Sequence, residues 1–131
     1  MTTTIVSGRN FSFTALKATR ECVLNIPTAD LAELVINCGN TSGRKIDKFS
    51  AFGIETKAAS KVGAPLLTEC FASLECRVVD TRMVNRYNFF VLEAVKAWVD
   101  TAIKAPRTLH HRGYGTFAVA SETIALKSRM P

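Results

Sequence analysis

Between Phe71 and Val99 the chain carries two long extended patterns separated by a short polar connection. No all-helical fold accommodates them. Leu74, Cys76 and Val78 alternate with Ser73, Glu75 and Arg77, the period of a strand with one buried face. Tyr87 to Val99 follows, dense in aromatic and β-branched residues, with Asp80 to Arg86 as the hairpin connection. Phe89, Val91 and Val95 form one apolar set of this second strand, and Phe90, Leu92 and Trp98 another. A strand apolar on both faces needs cover on both sides, and a barrel interior covers only one. A second copy of the chain is the expected cover, so the sequence predicts a homodimer.

The remaining segments are shorter. Thr3 to Ser7 reads as a strand broken by Gly8-Arg9-Asn10, and Phe11 to Arg20 has helical spacing with Asn10 or Ser12 available as N-cap. Cys22 to Ile26, closed by Pro27, reads as a buried strand. Thr28 is placed to cap a helix carrying Leu31, Leu34, Val35 and Cys38, with Gly39-Asn40 as its stop. A polar turn over Thr41 to Lys45 precedes a short helix, Asp47 to Phe52, ended by Gly53. Lys104 to Gly115 reads as a loop and Thr116 to Leu126 as the last strand. Antiparallel strands with helices inserted between the early ones imply a mainly β fold with inserted helices (α+β), a small antiparallel barrel. At 131 residues, 47% of them apolar, one domain spanning 1–131 is expected to build one core.

Several classes are excluded or disfavoured. Phe89-Phe90-Val91-Leu92 is soon interrupted by Glu93 and Lys96, so no segment is long and apolar enough to span a bilayer. Met1 to Val6 lacks the basic start and apolar centre of a signal peptide. The four cysteines, Cys22, Cys38, Cys70 and Cys76, make no CxxC pair, and Cys70 and Cys76 are read as lying in one strand about 20 Å apart. Free buried thiols in a reducing cytoplasm are the expectation. The GxSxG, GxGxxG and HExxH patterns are absent, so an enzyme of this sequence would rely on a bound cofactor.

Three segments remain as candidate sites. The formal net charge of +6 invites a phosphate-bearing partner, or serves solubility alone. Thr41 to Lys61 holds five cations against two acids. Within it, Gly39 to Lys45 superficially resembles a P-loop, but the glycines are one residue too close and no Ser or Thr follows Lys45. What survives is a turn of small residues opening onto a helix start, with Arg44 as a planar fork and Lys48 one turn on. It reads either as an anion site or as a solvated linking turn. Ser7 to Phe13 repeats the pattern of strand end, turn and helix start, for which capping is the simpler explanation. Leu109 to Phe117 contains both histidines, His110 and His111, which an extended segment points to opposite sides. No metal site is expected there; a histidine near its ordinary pKa of about 6.5 is suited to donating a proton or hydrogen bond to a cofactor or substrate.

At these residues the chain resembles the flavin reductase-like, FMN-binding split-barrel family. The resemblance is carried by Ser7-Gly8-Arg9-Asn10-Phe11-Ser12, then Glu21 to Pro27, then Ser42-Gly43-Arg44 leading into Asp47-Lys48-Phe49. Ala64-Pro65-Leu66-Leu67 through Glu75-Cys76 and the closing His111-Arg112-Gly113 follow in order. It implies an antiparallel split β-barrel, a homodimer, bound FMN, and hydride transfer from NADH or NADPH to flavin. It further implies that Ser7, Asn10 and Ser12, with Ser42, Gly43, Arg44 and Lys48, meet the phosphate and ribityl chain. His110, His111 and Arg112 would lie towards the isoalloxazine and nicotinamide, as the candidate catalytic residues. Family members carry a further N-terminal segment before the strand that begins here at Thr3. The resemblance therefore implies a barrel incomplete at that end, with an unpaired edge and weakened FMN binding.

Two other classes compete with a catalytic flavoprotein: a non-catalytic split-barrel remnant that dimerises, and a basic nucleic-acid-binding barrel. Phe11, Phe13, Phe71, Phe89, Phe90 and Trp98 mostly follow core-like patterns and do not alternate with Lys and Arg as a base-stacking platform requires. Nucleic acid is accordingly the weaker expectation.

Overall fold

In the computed structural model, which describes residues 1–129, the elements follow one another as β1 (Thr2–Ile5), α1 (Phe11–Thr19), β2 (Glu21–Ile26), a 3-10 turn (Ala29–Leu31), α2 (Ala32–Asn40) and α3 (Lys48–Ala51). They continue as β3 (Thr56–Lys57), β4 (Leu66–Leu67), β5 (Ala72–Asp80), α4 (Val84–Tyr87), β6 (Phe89–Val99), β7 (Leu109–Gly113) and β8 (Thr116–Val119). Four strands make one antiparallel sheet in the order β1-β6-β5-β2, while β3–β4 and β7–β8 form separate two-stranded ribbons. The mainly β architecture with inserted helices is the one the sequence implies.

The two long strands are the centre of the sheet, as their patterning requires. Val78 lies opposite Leu92 and Cys76 opposite Ala94, with ladder irregularities between Glu75 and Cys76 and between Val78 and Asp80. Extra residues at such points increase local twist and bend a strand. Helix α1 covers one face. Its Leu16 joins Cys76, Val78, Val84, Phe90 and Leu92 in the buried core. Phe13 meets Phe90 edge-to-face at 5.6 Å between ring centres, the arrangement that ring quadrupoles favour. The helix ends where Arg20 turns left-handed at φ 59° and donates its N–H to the Leu16 carbonyl.

The opposite face is sealed by a carboxylate. Glu75 is fully buried and accepts hydrogen bonds from the Trp98 indole Nε1 at 2.6 Å and the backbone N–H groups of Ser60 at 3.1 Å and Lys61 at 2.5 Å. Desolvation on its own would raise the Glu75 pKa. The Trp98 N–H, then those of Lys61, Ser60 and Val62, outweigh burial and hold it near 2. These bonds tie the loop between β3 and β4 to the sheet.

Several expectations are corrected. Tyr87 and Asn88 leave the second strand: Tyr87 closes the single turn α4, and Asn88 takes a left-handed conformation at φ 55°. The connection 80–86 is therefore partly helical. Gly39 and Asn40 do not stop their helix but belong to it, and Thr41 is the residue that leaves helical geometry. Thr28 precedes a 3-10 turn, its hydroxyl bonded to the Asp30 carboxylate and not to the backbone of the helix. Asn10 occupies the N-cap position of α1 without a side-chain capping bond. Residues 109–113, read as loop, form β7, because a tight Gly113-Tyr114-Gly115 turn lets them pair with β8. The final strand consequently ends at Val119, short of Leu126. Strands β3 and β4 are two residues each, below the length at which alternation is legible.

The cysteines are free, but only Cys76 is buried; Cys22, Cys38 and Cys70 are half-buried. Cys70 precedes β5, so the single-strand argument separating it from Cys76 does not hold. Across the sheet Cys22 stands opposite Cys76. Burial, reinforced by the Cys76 thiol, pushes Cys22 up to about 11 and keeps it protonated.

Candidate functional site

The chain contains two Ser-Gly-Arg tripeptides, and they fold alike. Ser7 Oγ accepts from the Arg9 N–H at 3.3 Å, and Ser42 Oγ accepts from the Arg44 N–H at the same distance. One residue on, Asn10 N–H donates to the Ser7 carbonyl at 2.9 Å and Lys45 N–H to the Ser42 carbonyl at 3.0 Å. Each serine thus satisfies its own turn, the behaviour expected of short hydroxyl side chains beside a chain reversal.

The two turns are brought together by Phe11, the first residue of α1. The Gly43 backbone packs against its ring, and the Arg44 guanidinium lies 5.8 Å from the ring centre. Ser7, Asn10, Ser12, Gly43 and Arg44 are exposed around this contact, and Ser42 is half-buried. The first turn of α1 holds no acidic residue, so its free N–H groups and the arginines present uncompensated positive potential. Lys48 is arranged differently. Its Nζ donates at 2.5 Å to the Cys38 carbonyl near the end of α2, while Asp47 caps α3 by accepting from Phe49 N–H at 3.0 Å. An ammonium has three donors, so one bond to Cys38 leaves two directed elsewhere.

His110, His111 and Arg112 lie on the β7–β8 ribbon, all exposed. His111 stacks on Phe117 at 5.0 Å, and His110 Nε2 is 3.2 Å from Thr108 Oγ1. The ribbon's Gly115 lies near Ile36 on α2, which places it beside the helix that leads into the second turn. The structure therefore unites the two turns directly and sets the histidine ribbon next to their supporting helix. Arg9 holds the same place in the first turn as Arg44 in the second, its backbone N–H bonded to the serine hydroxyl. Among the described residues no cluster of His, Cys, Asp and Glu is able to hold a metal, and no helix is long and apolar enough to cross a membrane.

Residues 1–118 match the family described as flavin reductase like domain, and the chain belongs to that family. An uncharacterized protein of Escherichia coli (strain K12), YddH, is 33% identical over 98 residues, covering 66% of this chain and 52% of its own length. An uncharacterized protein of Archaeoglobus fulgidus is 31% identical over 99 residues, covering 76% and 56%. The chain thus spans about half the length of these curated relatives. Among solved structures, an FMN-binding domain of a flavin reductases-like enzyme from Shewanella baltica OS155 superposes with a TM-score of 0.88 at 22% identity, over 95% of this chain and 73% of that one. Flavoredoxin of Desulfovibrio vulgaris (Miyazaki F) gives 0.81 at 16%, over 95% and 72%. The NADH:FAD oxidoreductase SgcE6 of Streptomyces globisporus C-1027 gives 0.69 at 17%, over 82% and 61%. At these identities the structural likeness establishes the fold, the split barrel.

Proposed function

We propose that this chain binds FMN, with the phosphate at the paired Ser-Gly-Arg turns, and that the loaded domain moves hydride between NAD(P)H and flavin. The observation carrying the reading is the packing of the Gly43 turn on Phe11, which places Arg44 beside the start of α1. The residues suit the group: exposed N–H donors, a planar guanidinium and no acid in the first helical turn. FMN-binding domains and an NADH-using oxidoreductase among the structural neighbours support it. Bound FMN would supply the two-electron chemistry. The chain's own tasks are to grip the phosphate through Arg44, with Ser7, Asn10, Ser12, Ser42 and the remaining donors of Lys48 around it. His110, His111 and Arg112 would hold the pyridine nucleotide, with Phe117 fixing the His111 ring. We also infer a homodimer, and a reducing cytoplasm as the setting that suits four free thiols.

Arg44→Ala tests the assignment. A charge-assisted contact of about 1.5–3 kcal/mol implies an FMN affinity about ten- to hundredfold weaker, with riboflavin binding nearly unchanged. Equal losses for both flavins would show that the phosphate lies elsewhere.

A further inference from the structure

Two apolar features of the chain lack cover, and they start from the same place. Between α2 and the strands below it lies a cleft of about 330 Å³, lined in part by Pro27, Leu31, Leu34, Val35, Cys38 and Cys70. No residue of α2 is buried, so the helix does not close the cleft by itself. Residues 121–129 are the second feature. They follow β8, join no helix or strand, and leave Ile124 76% and Leu126 84% exposed. The sequence pattern carries a strand on to Leu126, yet pairing ends at Val119. In an extended segment residues two apart face one side, so Ile124 and Leu126 make a short apolar edge. Just before this arm, the Ala120 N–H donates to the Thr108 carbonyl at 3.0 Å. Thr108 in turn bridges Thr28, the neighbour of Pro27. The arm therefore leaves the fold at the margin of the cleft.

Charge makes the match specific. Asp30 and Glu69 stand close enough to Cys70 to act on its thiol, which places both carboxylates at the rim. Among the described residues neither is in an ion pair. Lys48 is at the other end of the cleft, on the Cys38 carbonyl. The arm runs from its apolar pair into Lys127 and Arg129. An apolar edge followed by cations thus matches an apolar floor edged by acids. We propose that residues 121–129 of one chain occupy the α2 cleft of a second copy, and the reverse, in a two-fold exchange of arms. In its own chain the arm passes the cleft by, with Ile124 and Leu126 in solvent. A two-fold axis beside the arm's root brings each arm against the other copy's cleft, and exchange of identical elements is a low-cost route to a dimer. The proposal rests on the homodimer inferred above and not on the flavin reading; it adds what holds the copies together.

Cys38 and Cys70 supply the test, since both line the cleft. In Leu126→Cys, oxidation with diamide should link the arm to the second copy's Cys70 or Cys38. The product is a covalent dimer of twice the 14.3 kDa chain mass, with peptides joining position 126 to Cys70 or Cys38. The unaltered protein, and Leu126→Cys with both cleft cysteines replaced by serine, should give no such link. A link within one chain, or none, overturns the proposal. Sedimentation equilibrium reads the same contact without chemistry. Ile124→Ser combined with Leu126→Ser, both outside the core, should weaken the dimer about a hundredfold with the circular dichroism unchanged. An equally tight dimer in that variant overturns the arm exchange and leaves the homodimer standing. An unaltered protein that is monomeric at micromolar concentration overturns both.

Discussion

Gly43 lies so close to Phe11 that a Cβ on the glycine would stand 3.0 Å from Phe11 Cδ1. The contact is between a turn and a helix start that are distant in sequence, and it is the joint of the candidate phosphate site. Phe11 is 44% exposed, so its ring has room to swing outward. Gly43→Ala should therefore separate the turns at little cost to the fold. FMN affinity is expected to fall about five- to tenfold, with the melting temperature shifted by no more than about 3 °C. Flavin fluorescence titration and a thermal melt of the same preparation check both parts.

Acid stability should report on Glu75. Its folded pKa, near 2, lies below the ordinary 4.5, so its contribution is present above about pH 4.5 and is lost as pH falls towards 2. Asp80, held near 2 by its hydrogen bonds to Arg82, adds to the same window. Urea midpoints followed by Trp98 fluorescence should decline from pH 5 to pH 3. Glu75→Gln should flatten that decline and lower the midpoint at pH 7, because an amide has one oxygen acceptor for donors that now converge on two. An unaltered slope in Glu75→Gln would remove Glu75 as the cause.

Phe90 is wholly buried and touches Phe13 of α1. Phe90→Ala should cost about 3–5 kcal/mol, within the range of large-to-small core replacements, and lower the melting temperature by about 10 °C or more. A shift under about 3 °C would mean that α1 does not depend on this ring.

Assembly is the remaining expectation. Phe89, Val91 and Val95, on which the sequence rested the homodimer, are half-buried within one chain, whereas Ile5, Val79 and Val99 stay 70%, 43% and 54% exposed. Sedimentation equilibrium at micromolar concentration should give twice the 14.3 kDa chain mass. A single species at 14.3 kDa contradicts the dimer.

What the sequence discloses follows from where its signals are local. The alternation of Leu74, Cys76 and Val78 and the density of Phe89 to Val99 specify strands by themselves, and both form the sheet centre. The serine-arginine turns were legible because turn chemistry resides in three or four adjacent residues. The ribbon β7–β8 was not, since its pairing depends on the left-handed conformation at Tyr114, φ 51°, between two glycines. Lys48 looked like a free cation one turn beyond Arg44; its attachment to the Cys38 carbonyl is a tertiary contact that no spacing reveals. Glu75 reads as the polar side of a half-buried strand, yet it is fully buried because the loop carrying Ser60 and Lys61 folds back onto it.

The pairing of Thr2 with Leu92 also sets an order in time. Closing that contact joins residues about ninety positions apart, and such long-range closure slows folding. During synthesis, the β1–β6 ladder cannot form until β6 has left the ribosome. The Ser7 turn hangs directly from β1, and Val6 is held by the Asn88 carbonyl at the start of β6. Its final shape must therefore wait for nearly the whole sheet. A chain stalled before β6 would lack that ladder and the anchored Ser7 turn, so the phosphate site proposed for it would be among the last parts of the domain to form.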